Sequence, residues 1–286
     1  PDLERIHGGN GSTFCQAADL LTLELPMQIR RRLSLVLLVA VVCLPLSVAA
    51  QHHLQLGRGA LGEFGAAVTL PATEDQPTRL MMGDAHGFVH VYEQRGEEEA
   101  FDEIWISEYF EGPIAGIFIA DINLDELDEI ILFTESGRFH FLDRADYHTI
   151  WSNPPTDYER ITAMHLHNVD DDPQEEILFV ADGRLIVYDG RDQFEEWRSD
   201  QDNITATEML VGDVDGDGAE EIVLNDGFVF DARYRDLEWQ SPESFGERIG
   251  LLDIDDDSIP EVIGEFSGRL LRVFDVDLRR MKAARR

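Results

Sequence analysis

A nine-residue acidic turn occurs four times in register, and this repetition narrows the possible folds more than any other property of the chain. The copies read DINLDELDE from Asp121, NVDDDPQEE from Asn168, DVDGDGAEE from Asp213 and DIDDDSIPE from Asp253. Their starts lie 47, 45 and 40 residues apart. A period in that range belongs to propellers and solenoids, in which each repeat is one supersecondary unit that buries its apolar faces against its neighbours.

The flanks repeat with the turns. A short apolar strand precedes each one (IAGIFIA, TAMHLHN, EMLVG, IGLLD) and a second follows it (IILF, ILFV, IVLN, VIGE). A glycine turn then opens a third strand in SGRFHFLD, DGRLIVYD, NDGFVFD and SGRLLRVFD. Alternation and β-branched or aromatic enrichment predict strands throughout. All four Trp close a repeat: Trp105, Trp151, Trp197 and Trp239, spaced by 46, 46 and 42 residues. Four recurring Trp predict a fourth strand whose indole packs against the next unit, not a catalytic or ligand-stacking role. A unit with AAVTLP, RLMMG and GFVHVYE precedes the first acidic turn, and its own turn, ATEDQPT, lacks the acidic spacing. The expected fold is therefore all-β, a β-propeller of about five four-stranded blades at about 60–109, 110–155, 156–203, 204–245 and 246–286. The last unit ends at RRMKAARR without a Trp strand, so His52 to Gly59 are expected to supply its missing outer strand. The competing expectation is a fragment of a larger propeller.

Positions 1, 3, 5 and 9 of the turns hold Asp121, Asn123, Asp125, Glu129; Asn168, Asp170, Asp172, Glu176; Asp213, Asp215, Asp217, Glu221; and Asp253, Asp255, Asp257, Glu261. Fourteen of these sixteen positions are carboxylates and two are Asn, so every one offers oxygen. Alternate residues of a tight turn can converge, and carboxylates that close repel unless a cation joins them. Hard oxygen donors without His or Cys select Ca²⁺ over zinc or copper, and their number favours it over Mg²⁺. The bland alternative is a solvated acidic turn that holds no ion.

With its D-x-[DN]-x-D-x-x-x-[DE] turns each followed by an apolar strand, the chain resembles the FG-GAP/VCBS repeats of integrin-α-type β-propellers. The resemblance covers residues 110–286 well and 60–109 weakly. It implies Ca²⁺ held by the side chains at positions 1, 3, 5 and 9 together with the position 7 carbonyls of Leu127, Gln174, Ala219 and Ile259. It also implies that each turn joins the innermost strand of a blade to the next one out. That family favours Gly or Asn at position 4 and Gly at position 6. Only the third turn keeps both, as Gly216 and Gly218; the others have Leu124 and Glu126, Asp171 and Pro173, and Asp256 and Ser258. A branched residue in a left-handed conformation is strained, which ranks the Asp213 turn first for metal, then Asp253, Asn168 and Asp121.

The formal charge of −35 argues against nucleic acid and anionic membrane as partners. After residue 50 the chain keeps 54 acidic and 19 basic residues, four of each lying earlier. The turns hold 20 of the 54, which leaves about −15 for a generally acidic surface. Lys282 is the only Lys. Met27 opens MQIRRRLSLVLLVAVVCLPLSVAAQ, with basic Arg30, Arg31 and Arg32, an apolar run from Leu33 to Leu46, and small residues at Ser47-Val48-Ala49. That pattern predicts a signal peptide at 27–50, behind a non-native upstream segment at 1–26, and an exported propeller at 51–286. An uncleaved anchor, or a lipoprotein modified at Cys43, is the alternative. Cys15 and Cys43 both lie before the mature chain, which would then have no disulfide and no membrane span.

The expected function is an exported, calcium-binding module for a protein or polysaccharide partner, periplasmic or extracellular and without catalysis. The rivals are a propeller enzyme, such as a polysaccharide lyase or a quinoprotein-like dehydrogenase, and a periplasmic scaffold for envelope assembly. No nucleophile elbow, metalloprotease helix, phosphate loop or dinucleotide fingerprint is present. His165 and His167 share a strand face and His86 and His90 lie in the first unit, but two imidazoles alone are a weak metal signal. Asn203-Ile204-Thr205 has the form of a glycosylation acceptor.

Overall fold

The computed structural model describes residues 64–285 apart from 74, 75, 95, 97–99 and 171. The signal segment, both cysteines and the stretch from His52 to Gly59 lie outside the described residues. Within them the secondary structure is entirely strand and turn.

Twenty strands form five antiparallel sheets of four, each paired in chain order. The first sheet contains β1 (Phe64–Leu70), β2 (Arg79–Asp84), β3 (Val89–Gln94) and β4 (Phe101–Ile106). The second contains β5 (Ile114–Ala120), β6 (Glu129–Thr134), β7 (Phe139–Asp143) and β8 (Thr149–Ser152). The third contains β9 (Ile161–His167), β10 (Glu176–Ala181), β11 (Arg184–Asp189) and β12 (Phe194–Arg198). The fourth contains β13 (Met209–Gly212), β14 (Glu221–Leu224), β15 (Phe228–Asp231) and β16 (Leu237–Gln240). The fifth contains β17 (Arg248–Leu252), β18 (Glu261–Phe266), β19 (Leu270–Asp275) and β20 (Arg280–Arg285).

Burial explains the composition of each strand. β6 (EIILFT), β10 (EILFVA) and β14 (EIVL) are buried along their whole length. Both of their faces are covered by neighbouring sheets, so the apolar residues run continuously where a half-buried strand would alternate. The outer strand β4 has only exposed and half-buried positions instead. Four apolar clusters join consecutive sheets. Met81 and Val91 meet Ile130 and Leu142; Phe133 and Phe141 meet Phe179 and Tyr188; Leu178 and Val187 meet Ile222 and Phe230; Val223 and Val229 meet Val262 and Phe274. Each fully buried Phe at such a junction contributes about 1.5–3 kcal/mol of transfer free energy. Among the described residues no apolar cluster joins the fifth sheet to the first.

Each Trp stands at one of the four junctions. Trp105 lies 5.0 Å from Tyr147 of the second sheet, and Trp151 6.1 Å from Tyr188 of the third, between ring centroids. Trp197 lies 6.2 Å from Phe230 of the fourth, and Trp239 5.6 Å from Phe245 at the entry to the fifth. The indole positions pair with Val91, Phe141, Val187 and Val229.

The fifth sheet corrects one expectation. It does not lack a fourth strand, because β20 pairs with β19 along its length. The position equivalent to Trp is Ala283, opposite Val273. Trp marks a junction with a following sheet, and among the described residues the fifth sheet has none; a reading keyed to Trp therefore misses the strand.

Candidate metal centre

The acidic turns connect β5 to β6, β9 to β10, β13 to β14 and β17 to β18. Each is closed by the pair in which position 9 faces the residue before position 1: Ala120 with Glu129, His167 with Glu176, Gly212 with Glu221, and Leu252 with Glu261. The first strands of successive sheets lie against one another, so every turn joins an innermost strand to the next one out. Position 2 plugs the turn into the following sheet where there is one. Ile122 lies so close over Gly190 that a Cβ there would come within 2.2 Å of its Cγ1. In the fifth sheet the corresponding Ile254 is 44% exposed.

Inside each turn the side chains hold the backbone and leave oxygens over. The position 5 carboxylate accepts the position 7 N–H in all four turns, at 2.9 Å for Asp125 and Leu127, 2.9 Å for Asp172 and Gln174, 2.8 Å for Asp217 and Ala219, and 2.9 Å for Asp257 and Ile259. Asp121, Asp213 and Asp253 each accept a second N–H at position 6, from Glu126, Gly218 and Ser258. The second turn cannot make that bond, since Pro173 has no N–H. There position 1 is Asn168, whose amide donates to the Asp172 carbonyl at 2.5 Å. This is a local reason for Asn at position 1 where Pro stands at position 6.

In three of the four turns the backbone keeps one path whether or not glycine is present; Pro173, whose ring fixes a negative φ, sets the second apart. Positions 4 and 6 have φ of 80° and 90° at Gly216 and Gly218, 60° and 71° at Leu124 and Glu126, and 62° and 75° at Asp256 and Ser258. The sheet pairing on either side imposes the left-handed turn against residue preference. Leu124→Gly is accordingly expected to stabilise the protein by roughly 0.5–1 kcal/mol, strain relief exceeding the flexibility added to the unfolded chain. A thermal melt checks this, and a lowered melting temperature would refute it.

Position 9 separates the four turns. Each Glu is buried and accepts a backbone N–H through Oε2, from Ile122 at 3.1 Å, Val169 at 2.8 Å, Val214 at 2.7 Å and Ile254 at 2.9 Å. The other oxygen differs. Oε1 of Glu176 and Oε1 of Glu221 are buried without any partner. Oε1 of Glu129 accepts from the Asn123 amide at 3.0 Å. Oε1 of Glu261 accepts from the Lys282 ammonium at 2.5 Å. Burial first, and then the charges of nearby acids, push Glu129 and Glu176 up to about 7 and Glu221 up to about 8, against the lowering effect of the backbone N–H each accepts.

Ligand oxygens of Asp170, Asp172 and Glu176 lie within 4.8 Å of one another, as do those of Asp213, Asp215 and Glu221, and of Asp253, Asp255 and Glu261. The third and fourth turns thus bring the carboxylates of positions 1, 3 and 9 together and leave Asp217 and Asp257 outside the set; the second brings those of positions 3, 5 and 9 together. The first turn forms no such set of acidic side chains among the described residues. A buried carboxylate oxygen with no donor, beside two further carboxylates, fits a hard cation in the second and third turns. The first and fourth turns already have a donor on that oxygen.

The histidines are otherwise engaged. The rings of His165 and His167 lie 6.3 Å apart, and His167 Nε2 reaches Glu220 at 2.8 Å. His90 bridges Glu103 at 2.5 Å and Asp84 at 3.4 Å. Asp143, Asp146 and His148 also cluster after β7, half-exposed to exposed, with His148 hydrogen-bonded to Asp146.

These five sheets form a β-propeller. In solved structures the chain is similar to BBS1N, crystallised in complex with ARL6DN, at 14% identity and a TM-score of 0.53 over 77% of this chain and 67% of that one. It is similar to the V. cholerae biofilm matrix protein Bap1 at 15% identity and 0.53, over 77% of this chain and 38% of that one. Saccharomyces cerevisiae Sqt1 matches at 10% identity and 0.51, over 72% and 58% of the respective chains. No protein-family model matches the chain, and no curated protein does. Likenesses this distant carry the fold alone. No helix among the described residues is long and apolar enough to cross a membrane.

Proposed function

We propose that the chain is an exported β-propeller of the FG-GAP/VCBS kind, stabilised by Ca²⁺, that presents a rigid surface to a protein or polysaccharide partner and carries out no reaction. The observation behind calcium is the pair of buried, half-satisfied carboxylates at Glu176 and Glu221. Asp170 and Asp172 would complete the first site, and Asp213 and Asp215 the second. An ion there supplies the charge that lets each glutamate stay ionised out of water, and binding free energy then adds to folding free energy. Binding without chemistry is supported by the recurrence of the distinctive residues from sheet to sheet, whereas reacting groups would be unique. BBS1N crystallises with a protein partner and Bap1 is a matrix protein, which favours partner binding for a propeller of this form.

Calorimetric titration and thermal melts test the reading together. The expected result is two calcium equivalents with dissociation constants on the order of 10⁻⁴–10⁻³ M, a higher melting temperature in calcium than in chelator, and a smaller effect of magnesium. An unchanged melting temperature at millimolar calcium would end it. A pull-down from envelope extract beside a glycan array addresses the partner.

A further inference from the structure

The chain has 22 Arg and a single Lys, and from β20 that Lys reaches the acidic turn of the fifth sheet. Lys282 Nζ sits 2.5 Å from Asp255 Oδ2 and 2.5 Å from Glu261 Oε1, with Asp275 Oδ2 at 3.9 Å. Glu261 Oε1 is the same atom that is left without a partner in Glu176 and Glu221. Asp253, Asp255 and Glu261 form the same set of positions 1, 3 and 9 that Asp213, Asp215 and Glu221 form in the turn before. A donor at that point satisfies the buried oxygen from within the chain.

The strand pairing shows how Lys282 arrives there. In every sheet the third and fourth strands slip register by one residue beside the junction position. The residue at the slip is Ile104, Ile150, Glu196, Glu238 and Lys282 in the five sheets in turn. In the fifth sheet that position places an ammonium at the acidic turn. Glu196 is paired with Arg235 at 2.7 Å and has no such role. An ammonium is a compact point charge with three donors, which suits a metal-sized gap between carboxylates; the planar guanidinium of the far commoner Arg does not.

We propose that Lys282 is a built-in cation that takes the place of a metal ion in the fifth-sheet turn, so that Asp253, Asp255 and Glu261 are held together without calcium. The inference rests on the calcium reading for the sister turns. It makes the fifth sheet insensitive to chelation and turns a single residue into the determinant of how many ions the protein takes up.

The test compares wild type with Lys282→Met by calcium titration and by thermal melts in chelator. With wild type binding calcium, Lys282→Met is expected to take up one equivalent more, and no gain overturns the proposal. If wild type binds none, the calcium reading of the sister turns fails on its own and the chelator melts decide about Lys282. Lys282→Met must then melt lower than wild type, and adding Asp255→Asn and Glu261→Gln must restore the loss; no loss, or one that is not restored, overturns it. If Lys282→Met does not fold, acetylation of the wild type decides, since Lys282 is the only side-chain amine. It is expected to react at least about tenfold more slowly in the folded than in the denatured protein, as for an amine that two carboxylates hold in its ammonium form. Equal rates overturn the proposal.

Discussion

Replacing Glu221 by Gln is expected to raise the melting temperature in chelator and to remove the calcium response of the third turn. The two effects have opposite signs because one side chain is a liability without the ion and a ligand with it. Glu221 is 0% exposed, accepts one N–H from Val214 at 2.7 Å, and leaves Oε1 unpaired beside Asp213 and Asp215. The amide keeps an acceptor for Val214 and, in melts at about pH 9, above the Glu221 value of about 8, discards the buried charge. Relief of an unsatisfied buried group of this sort amounts to about 1–3 kcal/mol, and each kcal/mol moves the melting temperature of a domain this size by about 2–4 °C. In calcium at a hundred times the dissociation constant, about 10 mM for a site of about 10⁻⁴ M, the order reverses, since occupancy adds about 2.7 kcal/mol that Glu221→Gln no longer collects. Melts in chelator and in tens of millimolar calcium measure both arms. A variant less stable than wild type in chelator would show that Glu221 is not an unpaired charge.

In the absence of metal, stability is expected to fall as the pH rises from about 5 to about 8. Glu129 and Glu176 are pushed up to about 7 and Glu221 to about 8, chiefly by burial. Between the ordinary carboxylate value and these, the folded protein holds protons that the unfolded chain has released. Raising the pH therefore draws the equilibrium toward the unfolded state, and the loss is complete above the folded-state values. A tenfold change in a group's proton affinity on folding corresponds to about 1.4 kcal/mol, so a group whose affinity rises that far exceeds a typical surface pair. Calcium competes with the same protons: its affinity is expected to increase with pH over this window, and its saturation to flatten the stability curve. The acidic surface contributes a slope of the same sign through self-repulsion, so the control is the triple variant Glu129→Gln, Glu176→Gln, Glu221→Gln. A chelator curve as steep in that variant as in wild type would place the effect elsewhere.

The architecture was legible because the sequence states it four times over. Trp105, Trp151, Trp197 and Trp239 mark fourth strands, and Glu129, Glu176, Glu221 and Glu261 open second strands, as local spacing alone indicates. What was not legible depends on residues brought together across a sheet. Glu221 and Glu261 occupy the same position of the repeat, yet one faces no donor and the other faces an ammonium 21 residues further on. The lone Lys in an Arg-rich chain was a signal, but without β20 it had no place to point. Alternation could not place it either, since the register slip between β19 and β20 puts Lys282 out of phase with a simple period of two. Leu124 and Glu126 are a different case: preference disfavours their left-handed conformations, and pairing on both sides of the turn overrides preference.

The placement of the tryptophans has a spectroscopic consequence. Each indole faces an aromatic ring across one of the four sheet-to-sheet junctions, Trp151 while also packed against Phe139 and Phe141 of its own sheet. Tryptophan emission from this protein is therefore a report on junctions, one chromophore for each, while amide circular dichroism reports the hydrogen-bonded ladders. Sheets that parted without melting would be visible in the first signal and silent in the second, with no label added to the chain.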